Sequence, residues 1–286
     1  VNGAPEALRT ALVAGREALQ DDRDGARERG GELALVDDLL SRLEVIGNAT
    51  APGATAGDVG KWLAAQADAQ PNRRETFADV AAVLARRLVE TDVTPPADGA
   101  AAVAWQALLI MLRDLYGTGV VTLGRLAFIG PGLLTELATE AHTTLAAGPD
   151  GVRAFGLAGP VLARLAVSRQ LGDALCAGLG FKVTSTYDAI YVSDPPGSRN
   201  VPHVDARGCE LTFVLSLEHT VPPGGGDGSA LLVHRAGERA PQRLALPPGE
   251  ALVLRGRGTL HNWEPLAPGE RRTLLQVGFN PTGADH

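Results

Sequence analysis

The strongest constraint on the fold is a change of hydrophobic period near residue 181. Upstream, apolar residues recur three or four positions apart, the spacing that gives a helix one apolar stripe. The segments 5–20, 30–47, 55–69, 73–90, 104–115, 131–148 and 158–180 follow this pattern, with a proline-rich break at 91–100. Downstream, short runs rich in Val, Ile, Thr and Tyr end at Pro or Gly: 182–194, 209–219, 229–235, 242–256 and 271–280. Such runs read as strands. A chain that carries both periods in separate halves is α+β. The expected architecture is an extended α-helical N-terminal half (1–180) packed on a C-terminal double-stranded β-helix of jelly-roll or cupin type (181–286), the two forming one compact unit.

Composition removes several function classes. A formal charge of −7 and a pI near 5.4 leave no basic face for nucleic acid. The most apolar stretch, around Trp105, carries Arg113 and Asp114 and is too short to cross a bilayer, so no membrane association is expected. The first residues lack the basic-then-apolar pattern of a secretory signal, and Cys176 and Cys209 form neither a CxxC motif nor a disulfide framework. Both points lead to the expectation of a cytoplasmic protein with reduced thiols. Lysine occurs only at Lys61 and Lys182 in a chain rich in arginine and alanine, a usage that reflects a GC-rich bacterial genome.

The β-prone half carries the chemistry. In "NVPHVDARGCELTFVLSLEH" an H-x-D pair, His203 and Asp205, precedes a strand. A turn after the first ligand swings the second to the same side. A third ligand must come from a distant strand, and His261 in "GTLHNWEPL" follows the strand at 251–256. Two imidazoles and one carboxylate on one octahedral face leave open positions, the arrangement of non-heme Fe(II) oxygenases. Arg271 lies ten residues past His261, and Thr273 shares its strand face. Facing inward, the pair would grip a carboxylate, the guanidinium by its fork and the hydroxyl by one donor. Arg272 would point the other way and is the rival anchor.

Residues 187–280 resemble the iron(II)/2-oxoglutarate-dependent dioxygenase superfamily, particularly its prolyl-hydroxylase-like branch. The resemblance rests on a tyrosine-bearing strand "AIYVSDPPGSRNVPHVD", the H-x-D, the distal His and "PGERRTLL". It implies that His203, Asp205 and His261 bind Fe(II), and that Arg271, assisted by Thr273, holds the cosubstrate 2-oxoglutarate. It also places Tyr191 in the cosubstrate pocket and O2 as the second cosubstrate. Asp205, where related halogenases have Gly or Ala, favours hydroxylation over halogenation. The expected activity is hydroxylation of an unactivated C–H bond of a small molecule, an amino acid or natural-product intermediate, with succinate as coproduct. Tyr187 and Arg207 are speculative substrate contacts.

Other readings stay open. His203 beside Pro202 also suits a surface turn, Tyr187 and Tyr191 also suit core aromatics, and His219 and His234 read as structural or rim residues. His219 is expected on the strand face of Phe213, Leu215 and Leu217. The glycine run 222–232 lacks the lysine of a phosphate loop and reads as a hairpin loop, and 194–200 reads as a mobile lid. The competing functions are a peptidyl hydroxylase, a metal-binding cupin without oxygenase activity, and a helical interaction protein whose β half is scaffold. The oxygenase reading requires converging imidazoles at 203 and 261 and an Arg271 side chain turned inward from the last strand, not lying out in water.

Overall fold

The computed structural model describes residues 3–21, 30–47, 55–89, 95–96, 99–145, 153–196, 200–205, 208–224 and 226–282. The helices are α1 (Gly3–Asp21), α2 (Gly30–Gly47), α3 (Ala56–Asp68), α4 (Arg74–Leu88), α5 (Gly99–Tyr116), α6 (Pro131–Leu145), α7 (Pro160–Ala166) and α8 (Arg169–Leu179). Local chemistry sets several boundaries. Thr55 and Asp58 close a reciprocal capping box at the start of α3. Ser168 caps α8 by accepting from the Leu171 N–H, which divides the helix expected over 158–180 into two. Gly180 then ends α8 at φ 80°, where a side chain would be strained. Most of the break expected at 91–100 lies outside the described residues.

The strands are β1 (Val120–Arg125), β2 (Ala154–Leu157), β3 (Val183–Asp194), β4 (Leu211–Thr220), β5 (Leu231–Val233), β6 (Gln242–Leu244), β7 (Glu250–Leu254), β8 (His261–Trp263) and β9 (Arg271–Pro281). They form a six-stranded sheet in the order β1-β7-β4-β9-β3-β2 and a three-stranded sheet in the order β6-β5-β8. Every strand pairing is antiparallel. Two departures from expectation matter. The stretch before residue 181 is not helical throughout, because β1 and β2 supply both edges of the large sheet. The run 242–256 is two strands in different sheets, since "PPG" at 247–249 turns the chain across from one sheet to the other.

Three apolar clusters hold the layers. Leu274, Val214, Leu252 and Leu254 of the large sheet meet Leu231, Val233 and Trp263 of the small sheet, which marks their common inner face. On the outer face, Tyr191, Phe213, Leu215, Leu275 and Val277 pack against α6, α7 and α8. Helices α1 to α5 share a third core, into which Val204 and Leu260 are inserted. Those two residues flank the expected ligands, so the helical bundle backs the metal-bearing segments directly.

A buried arginine locks this junction. The Arg257 guanidinium is almost wholly enclosed and donates to the Asp205 carbonyl (2.8 Å), the Asp79 carboxylate (2.8 Å) and the Glu75 carbonyl (2.6 Å). It also pairs with the Glu75 carboxylate at 2.7 Å. Removing one partner of a buried charged network leaves the others unpaired. Arg257→Ala is therefore expected to lower stability by about 3 kcal/mol, read as a lower denaturant midpoint, and to weaken divalent-metal binding because the Asp205 main chain is released.

Candidate metal centre

His203 and His261 meet as a backbone pair. Each donates its N–H to the other's carbonyl at 2.9 Å, which fixes their side chains side by side with ring centroids 4.5 Å apart. Asp205 is held two residues on, its N–H donating to the Gly256 carbonyl at 3.0 Å. The three side chains present ligand atoms within 4.8 Å of one another.

Second contacts prepare each ligand. His203 Nδ1 lies 3.0 Å from the Val201 carbonyl and His261 Nδ1 lies 2.8 Å from the Thr259 carbonyl. A carbonyl only accepts, so both Nδ1 atoms carry a proton, which makes Nε2 the nitrogen that each ring would offer a metal. Thr212 donates its hydroxyl to Asp205 Oδ2, while Oδ1 sits 3.5 Å from His261 Nε2. Burial and the neighbouring His261 push His203 down to about 3, so it stays neutral. Burial alone would raise the Asp205 carboxyl, but the two imidazoles and Thr212 outweigh it and hold it below the usual range. Burial likewise opposes protonation of His261, yet Asp205 and the Thr259 carbonyl raise it. Two imidazoles and one ionised carboxylate fit a divalent cation with open positions.

Arg271 is exposed, so the anchor expected there is corrected: the inward arginine of β9 is Arg272. Inner positions on β9 are those of Leu274, and two residues back lies Arg272, whereas Arg271 and Thr273 share the helix-facing side with Leu275. Arg272 is fully enclosed, pairs with Asp194 at 2.7 Å, donates to Ser229 Oγ at 2.9 Å and stacks 4.0 Å over the Trp263 ring. Its Nε is buried without a partner among the described residues. Arg153, not anticipated from the sequence, pairs with the other Asp194 oxygen at 3.1 Å. It lies close enough to both imidazoles to disfavour their protonation, and to Arg272.

Two tyrosine expectations are also corrected. Tyr191 lies on the outer face, buried, and donates to Glu140 of α6 at 2.7 Å, so it lines no inner pocket. Tyr187 is 79% exposed in a bulge of β3 at φ 65°. Arg207 and part of the segment read as a lid fall outside the described residues.

His219 is inward rather than beside Phe213, because a bulge between Ser216 and Glu218 reverses the alternation of β4. It bonds Glu270 at 2.6 Å, and His234 bonds Asn262 at 2.7 Å with its ring edge-on to Trp105.

No family model matches the chain, and the comparison with curated proteins found no match. Solved structures similar to it include HygX from Streptomyces hygroscopicus with nickel, 2-oxoglutarate and hygromycin B bound, at 16% identity over 58% of this chain and 84% of that one, TM-score 0.46. Another is a 2OG-Fe(II) oxygenase family oxidoreductase from Burkholderia pseudomallei, at 16% identity over 60% and 87%, TM-score 0.47. A Pseudomonas putida prolyl-4-hydroxylase shares 18% identity over 59% and 97%, TM-score 0.39. The metal centre, not this distant likeness, carries the functional reading. No helix among the described residues is long and apolar enough to cross a membrane.

A Cβ at Gly256 would sit 2.1 Å from Asp205 Oδ2, so Gly256→Ala must displace the carboxylate. We expect cobalt(II) affinity to fall by roughly 10- to 100-fold, followed by visible absorption, with the fold retained. A second expectation concerns acid. Burial would raise Glu270, but the Ser229 N–H, His219 and the Ala267 N–H hold it at about 2 against an ordinary 4.5. A depressed carboxylate stabilises the fold above its unfolded pKa, and that contribution is lost as pH falls from about 4.5 towards about 2. Glu270→Gln is expected to flatten the stability profile across that window in circular-dichroism titrations.

Proposed function

We propose that this chain is an iron(II)- and 2-oxoglutarate-dependent oxygenase that hydroxylates a C–H bond of a small molecule, with its two facing sheets as the halves of a double-stranded β-helix. The observation that carries the reading is on β8. His261, one of the three grouped side chains, shares a strand face with Trp263 two residues on, and Trp263 stacks against the enclosed Arg272. A cation site and a guanidinium suited to a carboxylate therefore adjoin.

His203, Asp205 and His261 would hold the iron, and Arg272, with Ser229 beside it, would take the distal carboxylate of 2-oxoglutarate. When bound, iron and the keto acid use O2 to supply the oxidant that removes the substrate hydrogen, leaving succinate and CO2. The chain itself supplies position. Val201 and Thr259 hold each imidazole in the tautomer that frees Nε2, and Thr212 leaves one Asp205 oxygen for the metal. The apolar contact of Val214, Leu252, Leu254 and Leu274 with the small sheet excludes water from one side.

The Asp194–Arg272 pair favours a second reading, a metal-binding barrel in which Arg272 is purely structural. Anaerobic titration separates the two. Iron(II) and 2-oxoglutarate added to the protein are expected to give the visible charge-transfer band of the chelate. Arg272→Leu is expected to weaken 2-oxoglutarate binding by roughly 10- to 100-fold, as loss of a charge-assisted bidentate contact requires, while Arg271→Ala leaves it unchanged. Metal binding without any such band would leave the barrel and remove the oxygenase.

A further inference from the structure

From Arg272 to Phe279 every residue of β9 is buried except Gln276, and Ile190, opposite it on β3, is half-buried too. Gln276 shares the inner face with Leu274, and its amide has no hydrogen-bond partner among the described residues. Gly278 stands two residues on, on the same face. Opposite it on β4 is Thr212, whose hydroxyl donates to the Asp205 carboxylate. The uncovered stretch therefore lies beside the metal centre, where His203 and Asp205 are also only half-buried.

The edge of this opening is polar. The β3 residues Thr186 to Asp188 stand opposite Gly278 alone, a bulge that holds Tyr187 at φ 65°. The side chains before and after Tyr187 gather on the Cys209 thiol. Thr186 Oγ1 lies 3.3 Å from Cys209 Sγ, which donates to Asp188 Oδ2 at 3.4 Å. A Cβ at Gly278 would overlap both Sγ and Thr186 Oγ1, so glycine there admits this group to the inner face. Burial above all, then Asp188 and Asp205, raises the Cys209 pKa, and the thiol remains a neutral donor. Asp188 is exposed and forms no ion pair among the described residues. The guanidiniums of Arg153 and Arg272 are held at Asp194, about 20 Å further along β3. A carboxylate without a countercharge, beside an amide whose donor and acceptor are both free, selects a cation that also carries a hydroxyl or carbonyl. From these groups we infer that Asp188 and Gln276 recognise the substrate: Asp188 takes the protonated amine of a small molecule, Gln276 takes a hydroxyl or carbonyl next to it, and Ile190 takes the adjoining carbon skeleton. The inference rests on the proposed function, whose substrate class it names. Both polar residues are specificity-determining.

The test uses the full chain loaded with zinc(II) and saturation-transfer NMR titrations with 2-amino-1-phenylethanol as probe. Its neutral and anionic counterparts are 1-phenyl-1,2-ethanediol and mandelate. The amine is expected to bind tightest. Asp188→Asn, which keeps an acceptor for the Cys209 thiol, is expected to weaken the amine by about tenfold and to leave the diol unchanged. Gln276→Leu is expected to weaken amine and diol alike, by about fivefold. Zinc affinity stays at its wild-type value in both variants. Tighter binding of the diol or mandelate, an Asp188→Asn loss shared equally by the diol, or amine binding unchanged by either variant would overturn the inference. If iron(II) and 2-oxoglutarate give no charge-transfer band, the oxygenase reading falls; amine binding to the zinc form that depends on Asp188 and Gln276 would then sustain the amine site alone.

Discussion

The structure depends on two backbone hydrogen bonds between His203 and His261. They join segments far apart in sequence, and by doing so they bring two imidazoles side by side, their centroids 4.5 Å apart. The bridge is a single ladder step and is stabilised from behind. Val204 and Leu260, each adjacent to a ligand, are buried in the helical core, and Arg257 ties the Asp205 carbonyl to α4. The helices α1 to α5 thus act as the rigid back wall of the metal centre. Pre-organised ligands of this kind lose little entropy when the cation binds, which raises affinity without added contacts.

Electrostatics sort the inner face into zones. At the metal end, burial keeps His203 neutral and the imidazoles keep Asp205 ionised, while Asp205 favours a proton on His261 that a cation would have to displace. At the other end, Arg153, Asp194 and Arg272 line up across β2, β3 and β9. Asp194 is shared by the two guanidiniums, and the Glu270 carboxylate also acts on Arg272. Between them Trp263 presses on Arg272 and excludes water, which strengthens every charge interaction nearby. The apolar end of β2 carries no charge of its own beyond Arg153.

Particular residues separate what was readable from what was not. The triad was legible because H-x-D and a lone distal histidine are local patterns with a chemical meaning, independent of the fold around them. Arg272 was not, because "RRTLLQVGF" is buried on both faces and shows no alternation from which an inner phase can be read. His219 was assigned to the wrong face for a related reason, since a bulge inserts one residue and inverts all that follow. Strands β1 and β2 were missed because short segments flanked by helical patterns borrow their neighbours' period, and their strand state comes from pairing with β7 and β3.

By itself the sequence determined most of the helices before residue 181, most of the strands after it, and the identity of the three candidate ligands. Periodicity, residue chemistry and net charge are all written locally along the chain. Only the tertiary structure decided which of two adjacent arginines turns inward, that Arg153 pairs with Asp194, and that Arg257 holds the Asp205 carbonyl. Each of these depends on strand register and on contacts between segments distant in sequence. A shift of one residue in register moves every side chain to the opposite face, and no local pattern in a doubly buried strand records which face was chosen.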